Sequence, residues 1–113
     1  MIMIDFNNVL IELQKTLDEL GHIAKEFYIW QGRARGNDYG DYDIFIQIEG
    51  TADFNDLDQI NRTTRERLGQ HDSYMWYMDD LLIDARIGPG KPNEEPYMTI
   101  DEYAKTHTHR DGS

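Results

Sequence analysis

The stretch Asp41-Tyr42-Asp43-Ile44-Phe45-Ile46-Gln47-Ile48 alternates without a break, with Tyr42, Ile44, Ile46 and Ile48 on one side and Asp41, Asp43, Phe45 and Gln47 on the other. A period of two belongs to an extended strand, in which successive side chains leave opposite faces. A helix through the same residues would scatter the isoleucines around its circumference. The segment therefore predicts a half-buried strand with two acids on its polar face, and the rest of the chain must cover the isoleucine face.

Helices are available for that purpose. Phe6, Leu10, Leu13, Leu17 and Leu20 recur in steps of four and three, one face of a helix that Asp5 can cap and Gly21 can end. After a break at Gly50 to Asp53, the residues Phe54, Leu57, Ile60, Thr64 and Leu68 form a second stripe ended by Gly69. Between the first helix and the acidic strand, Glu26 to Trp30 is aromatic and β-branched and predicts a short strand, and Gln31 to Gly40 predicts a loop. Ser73 to Ile87 reads as a hairpin or one bent strand. In its second half Leu81, Ile83, Ala85 and Ile87 share one face and Leu82, Asp84 and Arg86 the other. Gly88 to Pro96 is a Gly/Pro loop, Thr99 to Glu102 matches a capping box for a short helix through about Thr106, and His107 to Ser113 is expected to fray. The order predicts an α/β (α+β) domain over residues 1–106, a mixed sheet flanked by two main helices and a short C-terminal helix, with a flexible tail over 107–113.

At 113 residues, 39% of them apolar, the chain can form one core. It has no cysteine, so disulfides, thiol catalysis and thiolate zinc sites are excluded. The amino terminus lacks a basic region followed by a long apolar one, and a soluble cytoplasmic protein away from membranes is the default expectation. Asp and Glu number 22 against 11 Lys and Arg, a formal net charge of -11. Direct nucleic-acid binding is not expected of such a surface, because phosphate contacts draw on clustered basic residues. A small phosphate-bearing ligand remains compatible with it, as does imitation of a nucleic acid towards a basic partner.

Asp41, Asp43 and Asp84 are the chemistry-bearing constellation. If the two acidic strands are neighbours, three carboxylates meet at one place, where they stay ionised together only when cations neutralise them. Hard oxygen ligands of this kind suit Mg²⁺ or Mn²⁺, and two such ions can clamp the attacking and leaving oxygens of a phosphoryl-group displacement. Just upstream, Gly32-Arg33-Ala34-Arg35-Gly36 joins a strand to the acidic strand. The amides of a glycine turn with one or two guanidinium groups suit a triphosphate.

Gly21-His22-Ile23, the strand through Trp30, the Gly32-Arg33-Ala34-Arg35-Gly36 turn and Asp41-Tyr42-Asp43-Ile44-Phe45-Ile46 together resemble the core of the minimal nucleotidyltransferases of the polymerase beta superfamily. Those proteins show an aromatic or aliphatic residue, then Gly-Ser-Arg-Ala-Arg-Gly, then Asp-x-Asp followed by apolar residues. The resemblance implies that Asp41 and Asp43 bind the metals, that Asp84 is the third carboxylate, and that Gly32 and Arg33, with Arg35 beside them, line the site of ATP or another nucleoside triphosphate. It further implies transfer of a nucleoside monophosphate to a hydroxyl acceptor. Minimal members are often antitoxins that modify a tyrosine of a helical ribonuclease toxin, so a protein partner with a basic surface is implied too. Two departures stand in this chain: Gln31-Gly32 replaces Gly-Ser, removing a serine hydroxyl, and the loop from Gly36 to Asp41 is about two residues short of the family pattern.

Other assignments remain open on the residues. Asp41 and Asp43 also suit the solvent face of an ordinary strand, Asp84 suits an ion pair with a nearby arginine, and Asp80 competes with it as the third acid. Arg33 and Arg35 also suit solvated turn positions. Tyr77-Met78-Asp79-Asp80 copies the metal-binding hairpin of reverse transcriptases, but the chain is too short for that architecture. His71, His107 and His109 supply half a zinc set at most. Tyr74, Trp76 and Tyr77 suit sheet packing as well as base stacking. The departures and the surplus acids also fit a catalytically inactive protein of the same fold that occupies a basic surface of a partner, or a nucleotide sensor without turnover.

Overall fold

The computed structural model describes residues 6–37, 41–68 and 83–107. In chain order its elements are α1 (Phe6–Leu20), β1 (Ala24–Trp30), β2 (Tyr42–Ile48), α2 (Phe54–Arg67), β3 (Ile83–Gly88), β4 (Tyr97–Thr99) and α3 (Ile100–His107). Among the described residues these make an α+β domain of three helices and one four-stranded mixed sheet in the order β3-β2-β1-β4. None of the described helices is long and apolar enough to cross a membrane.

The helix ends follow from the sequence. Gly21 adopts φ +81°, its N–H donates to Asp18 O at 3.1 Å, and the His22 N–H donates to Leu17 O at 2.9 Å, the paired bonds of a left-handed glycine stop. Asp53 caps α2, its carboxylate accepting from the Asp56 N–H at 2.9 Å. Thr99 and Glu102 form the expected capping box of α3: the Glu102 N–H donates to Thr99 Oγ1 and the Thr99 N–H to Glu102 Oε1, each at 3.1 Å.

One face of the sheet carries the core. Ile29, Tyr42, Ile44, Ile46, Ile48, Ile83 and Ala85 pack under Phe6, Val9, Leu13 and Leu17 of α1, Ile60 of α2, and Ile100 and Tyr103 of α3. Each fully buried aliphatic side chain of this set contributes about 1.5–3 kcal/mol. Phe6, Tyr42 and Tyr103 meet edge to face at 5.5 to 6.2 Å between centroids. Where α1 crosses α2, the buried hydroxyls of Thr16 and Thr64 lie 3.1 Å apart, and Arg67 reaches Thr16 Oγ1 at 3.3 Å and Glu19 at 2.6 Å.

Strand directions bring the polar residues to one end. β2 pairs antiparallel with β1 and parallel with β3, while β4 pairs antiparallel with β1. The starts of β2, β3 and β4 therefore lie beside the end of β1. On the face opposite the helices, alternation brings together Tyr28 and Trp30 of β1, Asp43, Phe45 and Gln47 of β2, Asp84 and Arg86 of β3, and Tyr97 of β4. Trp30 meets Phe45 edge to face at 5.3 Å, and Tyr28 meets Tyr97 at 5.4 Å.

The connection from β3 to β4 must pass from one edge of the sheet to the other. It crosses the non-helical face: Gly88 lies against the Phe45 ring, where an added Cβ would come within 3.1 Å of Cζ, Pro92 is buried, and Glu94 approaches Arg35. Tyr28 and Trp30 are buried on this face, which no described helix covers, against the rings of Tyr97 and Phe45.

Three differences from the sequence expectations appear. β1 begins at Ala24, two residues before Glu26, because an irregular register between Ala24 and Glu26 lets the strand start early. Tyr97–Thr99 is a strand that periodicity did not reveal; three residues are too few to show a period, and pairing with β1 fixes their conformation. α3 also reaches His107, one residue into the expected tail. Asp5, Gly69, Leu81, Leu82 and residues 73–80 and 108–113, on which other expectations rested, lie outside the described residues.

Candidate functional site

The two acidic strands are neighbours, and Asp43 and Asp84 are direct register partners across the parallel β2–β3 pair. Adjacent strands lie about 4.8 Å apart, and register partners project to the same face. Asp41 precedes Asp43 by two residues, so it shares that face at the entrance of β2. Asp43 and Asp84 thus stand side by side where β2 and β3 begin, on the side away from the helices, with Asp41 two residues before Asp43.

Electrostatics record the crowding. The Asp43 carboxyl is pushed up to about 6 by burial first, then by the charges of Asp84 and Asp41, with Arg86 and Arg35 opposing. Asp41 is raised as well, by burial and by Asp84, against the pull of Arg65 and Arg33. The two acids accordingly favour a bound cation or proton over bare charge. Among the described residues, no three His, Asp or Glu side chains are grouped so as to hold a metal ion, Asp41, Asp43 and Asp84 included. Asp41, Asp43 and Asp84 are open neighbours, and Asp84 is turned towards Arg65, whose Nη2 lies 4.0 Å from Asp84 Oδ1.

The glycine turn lies at the same end. Gln31 to Gly36 winds into one tight helical turn, with the Arg35 N–H donating to Gln31 O at 2.9 Å and the Asn37 N–H to Gly32 O at 3.1 Å. Its entry and exit both need left-handed backbone: Gln31 at φ +60° and Gly36 at φ +104°. Gly32 is packed closely, since a Cβ there would approach Asn37 Nδ2 to 3.3 Å.

The two arginines of the turn have different situations. Arg33 is buried at 3% exposure, its guanidinium 4.0 Å from the centroid of the Tyr42 ring on the core side. Arg35 is about half exposed, 3.9 Å from Glu94 of the strap, and its charge is felt at Asp43. Arg33 is therefore not a solvated turn residue, whereas Arg35 is exposed, as the alternative reading has it.

Sequence reasoning passed over three neighbours of the acids. Arg65 of α2 donates from Nε to Ile83 O at 2.7 Å, and Asn61, one turn earlier, accepts from the Ala85 N–H at 2.7 Å and donates to Ala85 O at 3.1 Å. Together they satisfy the outer edge of β3. Their signal was their four-residue spacing beside the buried positions Ile60 and Thr64. Trp30 is the third: one position beyond the last β1–β2 register pair, it neighbours Asp43, and its Nε1 is buried with no hydrogen-bond partner among the described residues. Asp79, Asp80, Tyr74, Trp76, Tyr77, His71 and His109 lie outside the described residues, as does the side chain of His107.

The chain matches no family model, no curated protein and no solved structure.

Proposed function

We propose that this chain is a metal-dependent nucleotidyltransferase, of the kind its sequence resembles, that transfers a nucleoside monophosphate from ATP or another nucleoside triphosphate to a hydroxyl acceptor. One observation carries the reading: Asp43 and Asp84 are register partners on parallel strands, with Asp41 on the same face and a glycine turn at the same end of the sheet. A further detail supports it. Gln31 occupies the position of the family's first glycine, and its backbone keeps the left-handed φ that glycine would favour.

The residues present suit Mg²⁺ or Mn²⁺: hard oxygen donors, desolvated, whose raised proton affinity a divalent charge would reverse. When bound, such an ion supplies charge stabilisation to the triphosphate and to the attacking and leaving oxygens. Asp41 and Asp43 would hold it. Asp84, across the strand gap from Asp43, accepts the proton of the acceptor hydroxyl as that oxygen bonds to the α-phosphorus and pyrophosphate departs. Arg35 faces the phosphates from the turn, Gly32 lets the backbone approach them, and Arg33 holds the turn against Tyr42. A protein acceptor, such as a tyrosine of a basic toxin partner, is what the resemblance implies.

Calorimetry of ATP with Mn²⁺ tests the reading. The wild-type protein should bind in a metal-dependent manner and the Asp41→Asn/Asp43→Asn variant should not. Absence of binding in both would favour the inactive acidic interaction protein, whose hold on a basic partner would survive the same substitutions and weaken steeply with salt.

A further inference from the structure

The side chain that most directly answers the carboxylates comes from α2. Arg65 is fixed at one end by its Nε bond to Ile83 O at 2.7 Å, one residue before Asp84, and extends its Nη2 to 4.0 Å from Asp84 Oδ1. The guanidinium is mostly buried while Asp84 is more open. Asn61, one helical turn earlier, pins the backbone of Ala85, two residues after Ile83, through both its N–H and its carbonyl. The helix is held in turn by Ile60 in the core and by the buried Thr64 hydroxyl against Thr16. Arg65 is therefore a positive charge tethered at its Nε to the start of β3, with its Nη2 beside Asp84.

We propose that Arg65 is a built-in counter-ion of the site: it orients Asp84 and lowers the site's affinity for divalent cations, so that a cation is held firmly only when a triphosphate adds its own negative charge. The inference rests on the nucleotidyltransferase reading and concerns regulation of that same site. The physical ground is that a tethered cation beside carboxylates cancels part of the potential that would draw a second cation, and does so most where water is partly excluded. The triphosphate brings three or more negative charges and restores the attraction. Arg65 is a positioning residue here; nothing in its geometry has it touch the reacting atoms.

The test is Mn²⁺ binding by the full chain without nucleotide, by calorimetry, in wild type, Arg65→Gln, Arg65→Lys and Asp41→Asn/Asp43→Asn, with circular dichroism verifying that each is folded. Arg65→Gln should bind Mn²⁺ about tenfold more tightly than wild type. Arg65→Lys, which keeps the charge, should stay within about twofold of wild type. With ATP present the difference between wild type and Arg65→Gln should shrink. A merely structural arginine predicts the opposite sign, since loosening the β3 edge weakens a site. Unchanged or weaker Mn²⁺ binding by a folded Arg65→Gln overturns the counter-ion, and leaves the metal-site reading standing if Asp41→Asn/Asp43→Asn still abolishes wild-type binding. Absence of Mn²⁺ binding in every folded variant, with and without ATP, overturns both.

Discussion

Replacing Asp43 with asparagine should make the protein more stable at neutral pH, the reverse of what truncating a half-buried polar side chain usually does. Asp43 sits beside Asp84 and Asp41, and its carboxyl is raised from the ordinary 3.8 to about 6. Below about pH 3 it is protonated in the folded and unfolded chain alike and costs nothing. As pH rises from 4 to 6 the unfolded chain releases this proton before the folded one does, so stability falls, and above pH 6 the whole penalty is present. About two units correspond to about 3 kcal/mol at face value. The side chain is only half-buried and water screens it, so about 1–2 kcal/mol is the discounted figure. Asparagine keeps the shape and stays neutral. In metal-free buffer at pH 7.5, Asp43→Asn should therefore gain about 1–2 kcal/mol, or about 4–8 °C in Tm per kcal/mol for a domain of this size. At pH 4 most of that difference should be gone, and below about pH 3 the two proteins should melt together. Thermal and urea denaturation from pH 4 to 8 with chelator present give the curve, and adding Mg²⁺ should raise wild type towards the variant. A variant destabilised at every pH, or an advantage that does not change between pH 4 and 7.5, would refute the reasoning, because the carboxylate would then not be paying an ionisation penalty in the fold.

Other expectations follow from contacts elsewhere. Asn61→Ala should cost about 1–3 kcal/mol in urea denaturation, because it leaves the Ala85 N–H and carbonyl at the β3 edge without their partner. Thr16→Val and Thr64→Val should each cost about 1–2 kcal/mol, and the double substitution clearly less than their sum; an additive double mutant would contradict a shared hydroxyl contact. Gln31→Gly should stabilise by several tenths of a kcal/mol, glycine being relieved of the left-handed strain that Gln31 carries, and a loss would mean that the Gln31 side chain holds the turn. Gly88→Ala should lower stability, since its Cβ would press on the Phe45 ring under the strap.

Much of the architecture was legible because each element announces itself locally. The 3.6-residue stripe through Leu13 and Leu17, the alternation from Tyr42 to Ile48, the glycine stop at Gly21 and the capping box at Thr99 and Glu102 are all decided by near neighbours in sequence. β4 was not legible: Tyr97–Thr99 is extended because β1 offers it an edge, which is a long-range fact. The site divides in the same way. That Asp41 and Asp43 share a face follows from strand geometry, whereas the pairing of Asp43 with Asp84 depends on which edge β3 joins and in which direction. Burial of Arg33 beneath Tyr42, and the reach of Arg65 from a helix to a neighbouring strand end, depend on tertiary packing. The sequence shows only that arginines stand in the turn and on the second helix, and their partners appear once the layers are stacked.

Anomalous diffraction at the manganese edge, from crystals of the full chain grown with Mn²⁺ and ATP, tests the central claim most directly. The account predicts a manganese peak at direct coordination distance, about 2.0–2.3 Å, from carboxylate oxygens of Asp41 and Asp43, with the triphosphate against the Gly32 to Gly36 turn. ATP bound elsewhere, or manganese bound away from these carboxylates, would contradict it.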